Sequence, residues 1–231
     1  MPQNSTEITA SFSDRKSPRS VLPGIFAFPP NRDTLGGTSY FILDKNGNIL
    51  LDCPAWNDTY QNFLLAHGGV DKLVMTHRGG IGKQIVTMQR ELNCQIIIQE
   101  QEAYLLPEAK VNSFADRLSL STNLELIWTP GHSPGSSCLY YSKHGGILFS
   151  GRHLLPKSAT EIVPLRTAKT FHWWRQLNSV AKLKELFSPH TLKYILPGAN
   201  TGYLRGKAYL DNAYESLSGL DLESLKQIEP L

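Results

Sequence analysis

A glycine-rich segment flanked by basic residues is the first part of the sequence that could do chemistry. It reads Arg78-Gly79-Gly80-Ile81-Gly82-Lys83 and lies between a predicted strand and a predicted helix. Glycine-rich turns expose backbone N–H groups and a helix N-terminus carries partial positive charge, so this segment could hold an anion. A nucleotide-binding P-loop is excluded, because the first glycine position is His77 and no Ser or Thr follows Lys83. The alternative is that these glycines only fill space.

Five short patterns occur in one order along the chain. They are Ile49-Leu-Leu-Asp52, Met75-Thr-His77, Thr129-Pro-Gly-His132-Ser-Pro-Gly135, Leu148-Phe-Ser-Gly151 and Leu196-Pro-Gly198. Together they resemble the metallo-β-lactamase superfamily over roughly residues 35–200, and the Thr-Pro-Gly-His run is the most specific of them. The resemblance implies an α/β (α+β) fold, a four-layer αββα sandwich of two mixed β-sheets with helices on both outer faces.

The resemblance also implies a metal centre, from which this sequence departs. Active members of the superfamily bind one or two ions with a T-H-x-H-x-D-H loop, the His of T-P-G-H, an Asp after S-G and a late His. The ions lower the pKa of a bound water and polarise the scissile bond for hydrolysis. His77 and His132 match two of these ligand positions. The remaining positions hold other residue types, namely Gly79, Ile81, Gly82, Arg152 and Ala199.

The loss of metal ligands does not depend on the alignment. Residues 78–90 contain no His, Asp, Glu or Cys, so no shift of register restores a donor. Arg152 stands where the superfamily has its bridging Asp, and a permanent cation there repels a metal ion. We therefore expect a degenerate metal site and no cofactor. The alternative is one zinc, iron or manganese ion on His77 and His132, with His153 or Asp52 as a third ligand.

The resemblance places Asp52, His77, His132 and Arg152 on one rim of the sandwich. An acid at the Asp52 position orients a metal-bound His in the superfamily. Without metal, Asp52 could instead pair with Arg152 or with a protonated His. A pocket formed by these residues would be positively charged and would prefer a carboxylate or phosphate. Its further ligand-binding residues are predicted to be Arg78, Gly79, Gly80, Gly82, Lys83 and His153.

Other catalytic signals are lacking in the sequence. There is no Gly-x-Ser-x-Gly nucleophile elbow. The three cysteines, Cys53, Cys94 and Cys138, include no C-x-x-C pair and are odd in number. This pattern favours reduced, buried thiols in a cytoplasmic protein.

Composition limits the class of partner. Among 231 residues, 41% are hydrophobic and 19% are charged, which is typical of globular proteins. The net charge of +3 is too small to indicate nucleic acid or an anionic membrane as the partner. No apolar run of membrane-spanning length and no signal-peptide h-region occur, so we expect neither a membrane span nor standard secretion.

Apolar periodicity predicts alternating strands and helices in one domain at residues 21–231, after a flexible N-terminal arm at residues 1–20. Lys45-Asn46-Gly47 predicts a hairpin turn, because Asn-Gly tolerates positive φ. Strands are predicted at residues 25–28, 38–43, 48–52, 72–76, 95–98, 124–128, 137–142, 146–150 and 193–196. Helices are predicted at residues 56–67, 83–92, 170–187 and 207–228, the last with a break near Gly219.

Four consecutive ring-bearing residues, Phe171-His172-Trp173-Trp174, open the helix predicted at 170–187. A helix cannot bury four consecutive side chains on one face. Some of them must therefore cover the cleft, meet a partner or line a substrate groove, and we expect Phe171 and Trp174 to pack in the core. A homo-oligomer formed through this helix near Trp173 is one such arrangement.

The sequence thus predicts a relative of metal-dependent hydrolases that has lost most metal ligands and binds a small, anionic molecule or has an altered activity. Two alternatives stay open. One is an active hydrolase of esters or thioesters with a mononuclear site on His77 and His132. The other is a non-catalytic regulatory or structural pseudoenzyme that uses the aromatic helix as a partner surface.

Overall fold

A computed structural model describes residues 17–231 of the chain. Its strands are β1 (Arg19–Leu22), β2 (Ile25–Ala27), β3 (Tyr40–Ile42), β4 (Ile49–Leu51), β5 (Lys72–Val74), β6 (Gln95–Gln99), β7 (Val111–Phe114), β8 (Arg117–Ser121), β9 (Leu124–Trp128), β10 (Ser137–Tyr141), β11 (Ile147–Gly151), β12 (Leu155–Pro156), β13 (Ile162–Val163) and β14 (Tyr194–Pro197). Its α-helices are α1 (Asp58–Ala66), α2 (Ile85–Leu92), α3 (Trp173–Leu186), α4 (Ala213–Ser218) and α5 (Leu222–Lys226).

The strands form two mixed sheets and one short hairpin. The first sheet has the order β1-β2-β3-β4-β5-β6-β7, antiparallel from β1 to β4 and parallel from β4 to β7. The second has the order β14-β11-β10-β9-β8, in which only the β11–β14 pair is parallel. Strands β12 and β13 pair with each other. The predicted hairpin at Lys45-Asn46-Gly47 is confirmed, because it joins the antiparallel strands β3 and β4.

Alternating side chains of each strand divide the core into layers. In β3, Tyr40 and Ile42 face the second sheet, whereas Phe41 faces outward, as the two-residue period of a strand requires. The layer between the sheets also receives Leu126, Leu139 and other side chains of the second sheet. This shared apolar layer holds the two sheets face to face.

Helices cover both outer faces of the sandwich. Tyr60 and Leu64 of α1 and Met88 of α2 pack with Phe41 and Leu50 on the outer face of the first sheet. On the outer face of the second sheet, α3 and α4 contribute another set of buried side chains, which includes Val180, Leu183, Ala213 and Leu217. The predicted four-layer αββα sandwich is therefore confirmed.

Several predicted boundaries differ from the structure. Helix α3 begins at Trp173 because the side chain of His172 accepts a hydrogen bond from the Arg175 N–H and caps it. The helix predicted at 207–228 is two short helices, α4 and α5, and residues 207–212 are not helical. The apolar residues at positions 208, 210, 213 and 217 are all buried, but the first two lie in a loop and only the last two lie in a helix. Strands β1, β7, β8, β12 and β13 were not predicted.

The aromatic group at the start of α3 is arranged differently from the prediction. Phe171 and Trp174 are 46% and 51% exposed, so their predicted core packing is wrong. Trp173 is buried against Leu177 and Leu225, and its indole N–H donates to the Leu225 carbonyl. Trp173 faces inward because the first turn of α3 is oriented by packing against α5.

The predicted N-terminal arm lies mostly outside the described residues, which begin at residue 17. Its last two residues, Arg19 and Ser20, belong to β1 and pair with β2. No helix within residues 17–231 has the length and hydropathy needed to cross a membrane.

Helix α3 also anchors the loop of residues 129–135. The backbone N–H groups of His172 and Phe171 donate to the carbonyls of Gly131 and His132, at 2.9 and 3.1 Å. The Ser179 hydroxyl donates to the Pro130 carbonyl. Gly131 has φ +142°, and a Cβ there would lie 2.3 Å from Cα of Gln176.

We predict that Gly131→Ala destabilises the fold by about 2–4 kcal/mol, because a methyl group would overlap the α3 backbone and φ is unfavourable for L-residues. Urea unfolding would measure the loss. Gly202→Ala is the matched control, since a Cβ at Gly202 meets no atom within 4 Å. Equal stability of the two variants would contradict the close loop–helix contact.

Candidate functional site

The predicted site residues meet at one rim of the sandwich. Asp52 directly follows β4 and His77 follows β5 after Thr76, and these two strands are parallel neighbours, so their carboxyl ends share an edge. His132 belongs to the loop between β9 and β10, and Arg152 follows β11 in the second sheet. The Ser137 N–H donates to the Thr76 carbonyl at 2.8 Å and ties the two sheets together at this rim.

Asp52 is held by Thr76. Its Oδ1 accepts from the Thr76 backbone N–H at 2.8 Å, and its Oδ2 accepts from the Thr76 hydroxyl at 2.6 Å. Burial raises the pKa of Asp52 to about 6, while the two Thr76 hydrogen bonds and the Arg152 charge act in the opposite direction. A buried carboxylate thus keeps a proton to unusually high pH.

The hydroxyl of Thr76 also fixes the state of His77. Its Oγ1 lies 2.9 Å from His77 Nδ1. Since the single hydroxyl proton is donated to Asp52, Nδ1 carries the imidazole proton and donates to Oγ1. The other nitrogen, Nε2, is then unprotonated, and it is buried without a hydrogen-bond partner among the described residues. Burial, His132 and the nearby Arg152 and Arg78 lower the pKa of His77 well below its usual value, so its 3.9 Å approach to Asp52 is not an ion pair.

Two further imidazoles lie close by. The rings of His77 and His132 are 5.3 Å apart, edge to face. Burial lowers the pKa of His132 to about 4, and the positive charges of Arg152 and Arg78 add to this effect. His153 is fully buried with a pKa near 3, caused by burial and then by His132. All three imidazoles are therefore neutral at pH 7.

Arg152 does not form the direct pair with Asp52 that the sequence suggested as one interpretation. Its Nη2 donates to the carbonyls of Thr34 and Leu35 at 2.8 and 2.7 Å. Its Nε is buried and has no hydrogen-bond partner within residues 17–231. The guanidinium is thus fixed by the loop of residues 31–37, and Asp52 acts on it only through space.

A cleft of about 750 Å³ opens at this rim. Its described lining includes four predicted site residues, Arg78, Gly79, His132 and Arg152. The other lining residues come mainly from the segment before α3: Leu35, Leu155, Leu165, Thr167, Ala168, Lys169, Thr170, Phe171 and Leu231. The cleft therefore combines cationic and apolar walls.

Two glycines of the glycine-rich segment lie against buried side chains. A Cβ on Gly80 would lie 2.3 Å from Asp52 Oδ1, and one on Gly82 would lie 2.8 Å from Cys53 Cβ. The N–H groups of Gly80 and Ile81 donate to the carbonyls of His77 and Arg78, within a short 3₁₀ turn. Gly80 and Gly82 thus permit close packing over Asp52 and Cys53.

Lys83 extends into solvent, 83% exposed, with its Nζ 3.9 Å from the Asp33 carboxylate. Arg78 and Gly79 are the residues of the predicted segment that line the cleft.

The sequence does not predict a role for several residues at the rim. Thr76 lies within the Met75-Thr-His77 pattern, but its residue type alone does not indicate its hydrogen bonds. Glu102 is 1% exposed, and neither carboxylate oxygen has a partner among the described residues. It follows β6, the next parallel strand after β5, and this position was the only available signal. Gln176 of α3 donates to the His153 carbonyl, a contact between distant segments that no local pattern predicts.

The residues present do not fit the metal centre that the fold implies. Within residues 17–231, no three His, Cys, Asp or Glu side chains form a group that could hold a metal ion. The unprotonated Nε2 of His77 is one available donor, but the neighbouring position 79 holds a glycine, which has no side chain to supply a second ligand. Arg152 and Arg78 are close enough to lower the pKa of both His77 and His132, and the same charges oppose a metal ion.

The pKa of Asp52 predicts a pH dependence of stability. Its folded-state pKa of about 6 exceeds the ordinary pKa of an aspartate side chain, so the folded state binds the proton more tightly than the unfolded chain does. The contribution of Asp52 to the free energy of unfolding is therefore present at pH 4. It falls as the pH rises through about 6 and is lost at higher pH. We expect wild type to lose about 2 kcal/mol relative to Asp52→Asn between pH 4 and 7 in urea unfolding. A pH-independent difference would contradict the raised pKa.

Comparisons with known proteins bear on the fold. No protein-family model matches the chain, and no curated protein matches it. A metallo-β-lactamase structure from Staphylococcus aureus subsp. aureus COL is similar, with a TM-score of 0.66, 16% identity and coverage of 92% of this chain and 69% of that one. The DIM-1 metallo-β-lactamase structure is also similar, with a TM-score of 0.66, 17% identity and coverage of 90% of this chain and 98% of that one.

An N-acyl homoserine lactone hydrolase, solved with N-hexanoyl-L-homoserine at its catalytic metal centre, gives a TM-score of 0.52 at 18% identity, over 70% of this chain and 80% of that one. These identities are low, and the likeness extends over most of the sandwich. The chain has the fold of the metallo-β-lactamase superfamily.

Proposed function

We propose that this chain binds a small anion, a carboxylate or phosphate, in the cleft at the rim where related hydrolases bind metal. The observation that carries the proposal is the charge of the cleft. Arg78, Arg152 and Lys169 line it, and none of its described lining side chains is acidic. Three side-chain cations without an acidic side chain among them favour an anionic occupant.

Arg152 is the central binding residue in this proposal. Its two hydrogen bonds to loop carbonyls fix the plane of the guanidinium before any ligand arrives. A preorganised planar group loses little conformational entropy on binding, and the N–H groups of Nη1, which these two bonds do not use, can donate charge-assisted hydrogen bonds to a carboxylate or phosphate.

His132 supports the same ligand in a neutral state. Its pKa of about 4 keeps the imidazole uncharged at pH 7, so it offers one N–H without the desolvation cost of a further buried cation. Charge-assisted hydrogen bonds at a partly exposed site contribute only a few kcal/mol net, so we expect a Kd in the micromolar to millimolar range.

We predict that Arg78→Gln weakens sulfate binding about three- to tenfold at low salt, because it removes one of three cations from the cleft. Sulfate is the probe because it does not titrate near neutral pH, and isothermal titration calorimetry measures the Kd. Arg78 is exposed, so this substitution spares the core.

Lys110→Gln is the matched control, since it makes the same charge change at an exposed position outside the cleft. Equal weakening by both substitutions would mean that only net charge matters. The absence of saturable sulfate binding to wild type would overturn the proposed function.

We predict further that chelator leaves the melting temperature unchanged to within about a degree, since a protein of this size is stabilised mainly by its apolar core. Loss of a structural ion would remove several kcal/mol. The protein should be purified without nickel affinity and its metal content measured. Stoichiometric zinc, iron or manganese that disappears in His132→Ala would instead support the mononuclear hydrolase.

A further inference from the structure

The cleft is much larger than a simple anion. Its volume of about 750 Å³ lies within the range of roughly 300–1,000 Å³ that is usual for pockets holding drug-sized molecules. A water molecule occupies about 30 Å³ in the liquid, so an inorganic phosphate would leave most of this space to solvent. The other residues that line the cleft therefore also bear on the identity of the ligand.

Apolar side chains flank the cationic end on both sides. Leu35 is held beside the guanidinium, since its carbonyl accepts from Arg152 at 2.7 Å. Phe171 is held beside the imidazole, since its N–H donates to the His132 carbonyl at 3.1 Å. Both side chains line the cleft, and they are 63% and 46% exposed. Large apolar side chains exposed in a cleft lined with cations suit a ligand that has an apolar part.

A second group of apolar residues continues this wall. Leu155 and Leu165 line the same cleft, and Leu231 joins them because its N–H donates to the Arg166 carbonyl at 3.0 Å. The wall is thus built from three separate segments of the chain, around residues 35, 155 and 165–171, with Leu231 added. Burying it under a ligand would gain free energy in proportion to the apolar area covered.

We propose that the ligand is a phosphate monoester with an apolar substituent, whose phosphate meets Arg78, Arg152 and Lys169 and whose substituent covers the apolar wall. This inference rests on the proposed anion site. A dianionic head group is favoured over a monoanion because each of the three cations gains a second charge to interact with. The guanidinium fork of Arg78 also matches the geometry of phosphate oxygens.

The test is an alkyl phosphate series at pH 7.5 and constant ionic strength, with inorganic phosphate, ethyl, butyl and hexyl phosphate as probes and calorimetry as the readout. Burial of one methylene is worth about 0.8 kcal/mol, which is about fourfold in Kd. With partial burial we expect about twofold per methylene, so that hexyl phosphate binds at least about tenfold tighter than inorganic phosphate.

Two variants test whether the wall lies where the structure places it. Leu35→Asn and Phe171→Ser remove apolar surface without changing charge, and Asn tolerates the φ of +54° at position 35. Each should weaken hexyl phosphate about three- to tenfold and leave inorganic phosphate within about twofold. Leu65→Ser is the matched control, because Leu65 is 52% exposed and lies on α1, outside the cleft lining.

The outcomes separate this inference from the proposed function. Two results would contradict the proposal that the ligand has an apolar substituent, without contradicting the anion site. One is saturable phosphate binding whose Kd does not depend on alkyl chain length. The other is a dependence on chain length that both variants retain. Hexanoate that binds as tightly as hexyl phosphate would overturn the dianionic head group. Failure of every probe, inorganic phosphate included, would overturn the proposed function as well.

Discussion

The hydrogen bonds of Thr76 hold the functional rim together. Its N–H and hydroxyl both donate to Asp52, its hydroxyl oxygen meets Nδ1 of His77, and its carbonyl accepts from Ser137 in the other sheet. Thr76 is fully buried, so each of these polar groups would be costly without a partner. The side chain and backbone of one residue therefore link a carboxyl group, an imidazole and both sheets. A Cβ on Gly151 would lie 2.6 Å from the Thr76 hydroxyl oxygen, which accounts for a glycine at that position.

The second organising feature is the positive charge of Arg152. It acts on Asp52, His77 and His132 through space, and in each case it favours the less positive or more negative form of the group. Burial acts in the same direction on the imidazoles, so they remain neutral, whereas on Asp52 burial prevails and raises the pKa. The rim thus presents arginine cations to the cleft beside uncharged imidazoles.

Buried polar atoms without partners among the described residues gather at this rim. They include His77 Nε2, both oxygens of Glu102, Arg152 Nε and both nitrogens of His153. In a folded protein such atoms are few, because each costs desolvation free energy. They lie beside the motif loops and not in the apolar layer between the sheets. Buried polar atoms without partners in such a place are typical of a binding site, where residues are kept for function at a cost in stability.

The sequence alone determined the fold and part of the rim. Through their resemblance to the metallo-β-lactamase superfamily, the ordered motifs predicted the αββα sandwich and placed Asp52 and His77 on one rim, because the residue types that carry this resemblance can be read directly from the sequence. The loss of most metal ligands could also be read from the sequence, because it concerns only which residue types stand at the motif positions. The sequence did not predict that Trp173 is buried while Phe171 and Trp174 are exposed, because the orientation of α3 depends on its contact with α5.

Only the tertiary structure decided what surrounds each candidate group. The role of Thr76, the capture of Arg152 by the Thr34 and Leu35 carbonyls and the burial of Glu102 all join segments distant in sequence. The same holds for the cleft, where Arg78 and Arg152 come from the motif loops, whereas Lys169 and the apolar side chains come from other segments. Short-range patterns encode which residue types are present, whereas pKa values, hydrogen-bond partners and cavity shape follow from long-range packing.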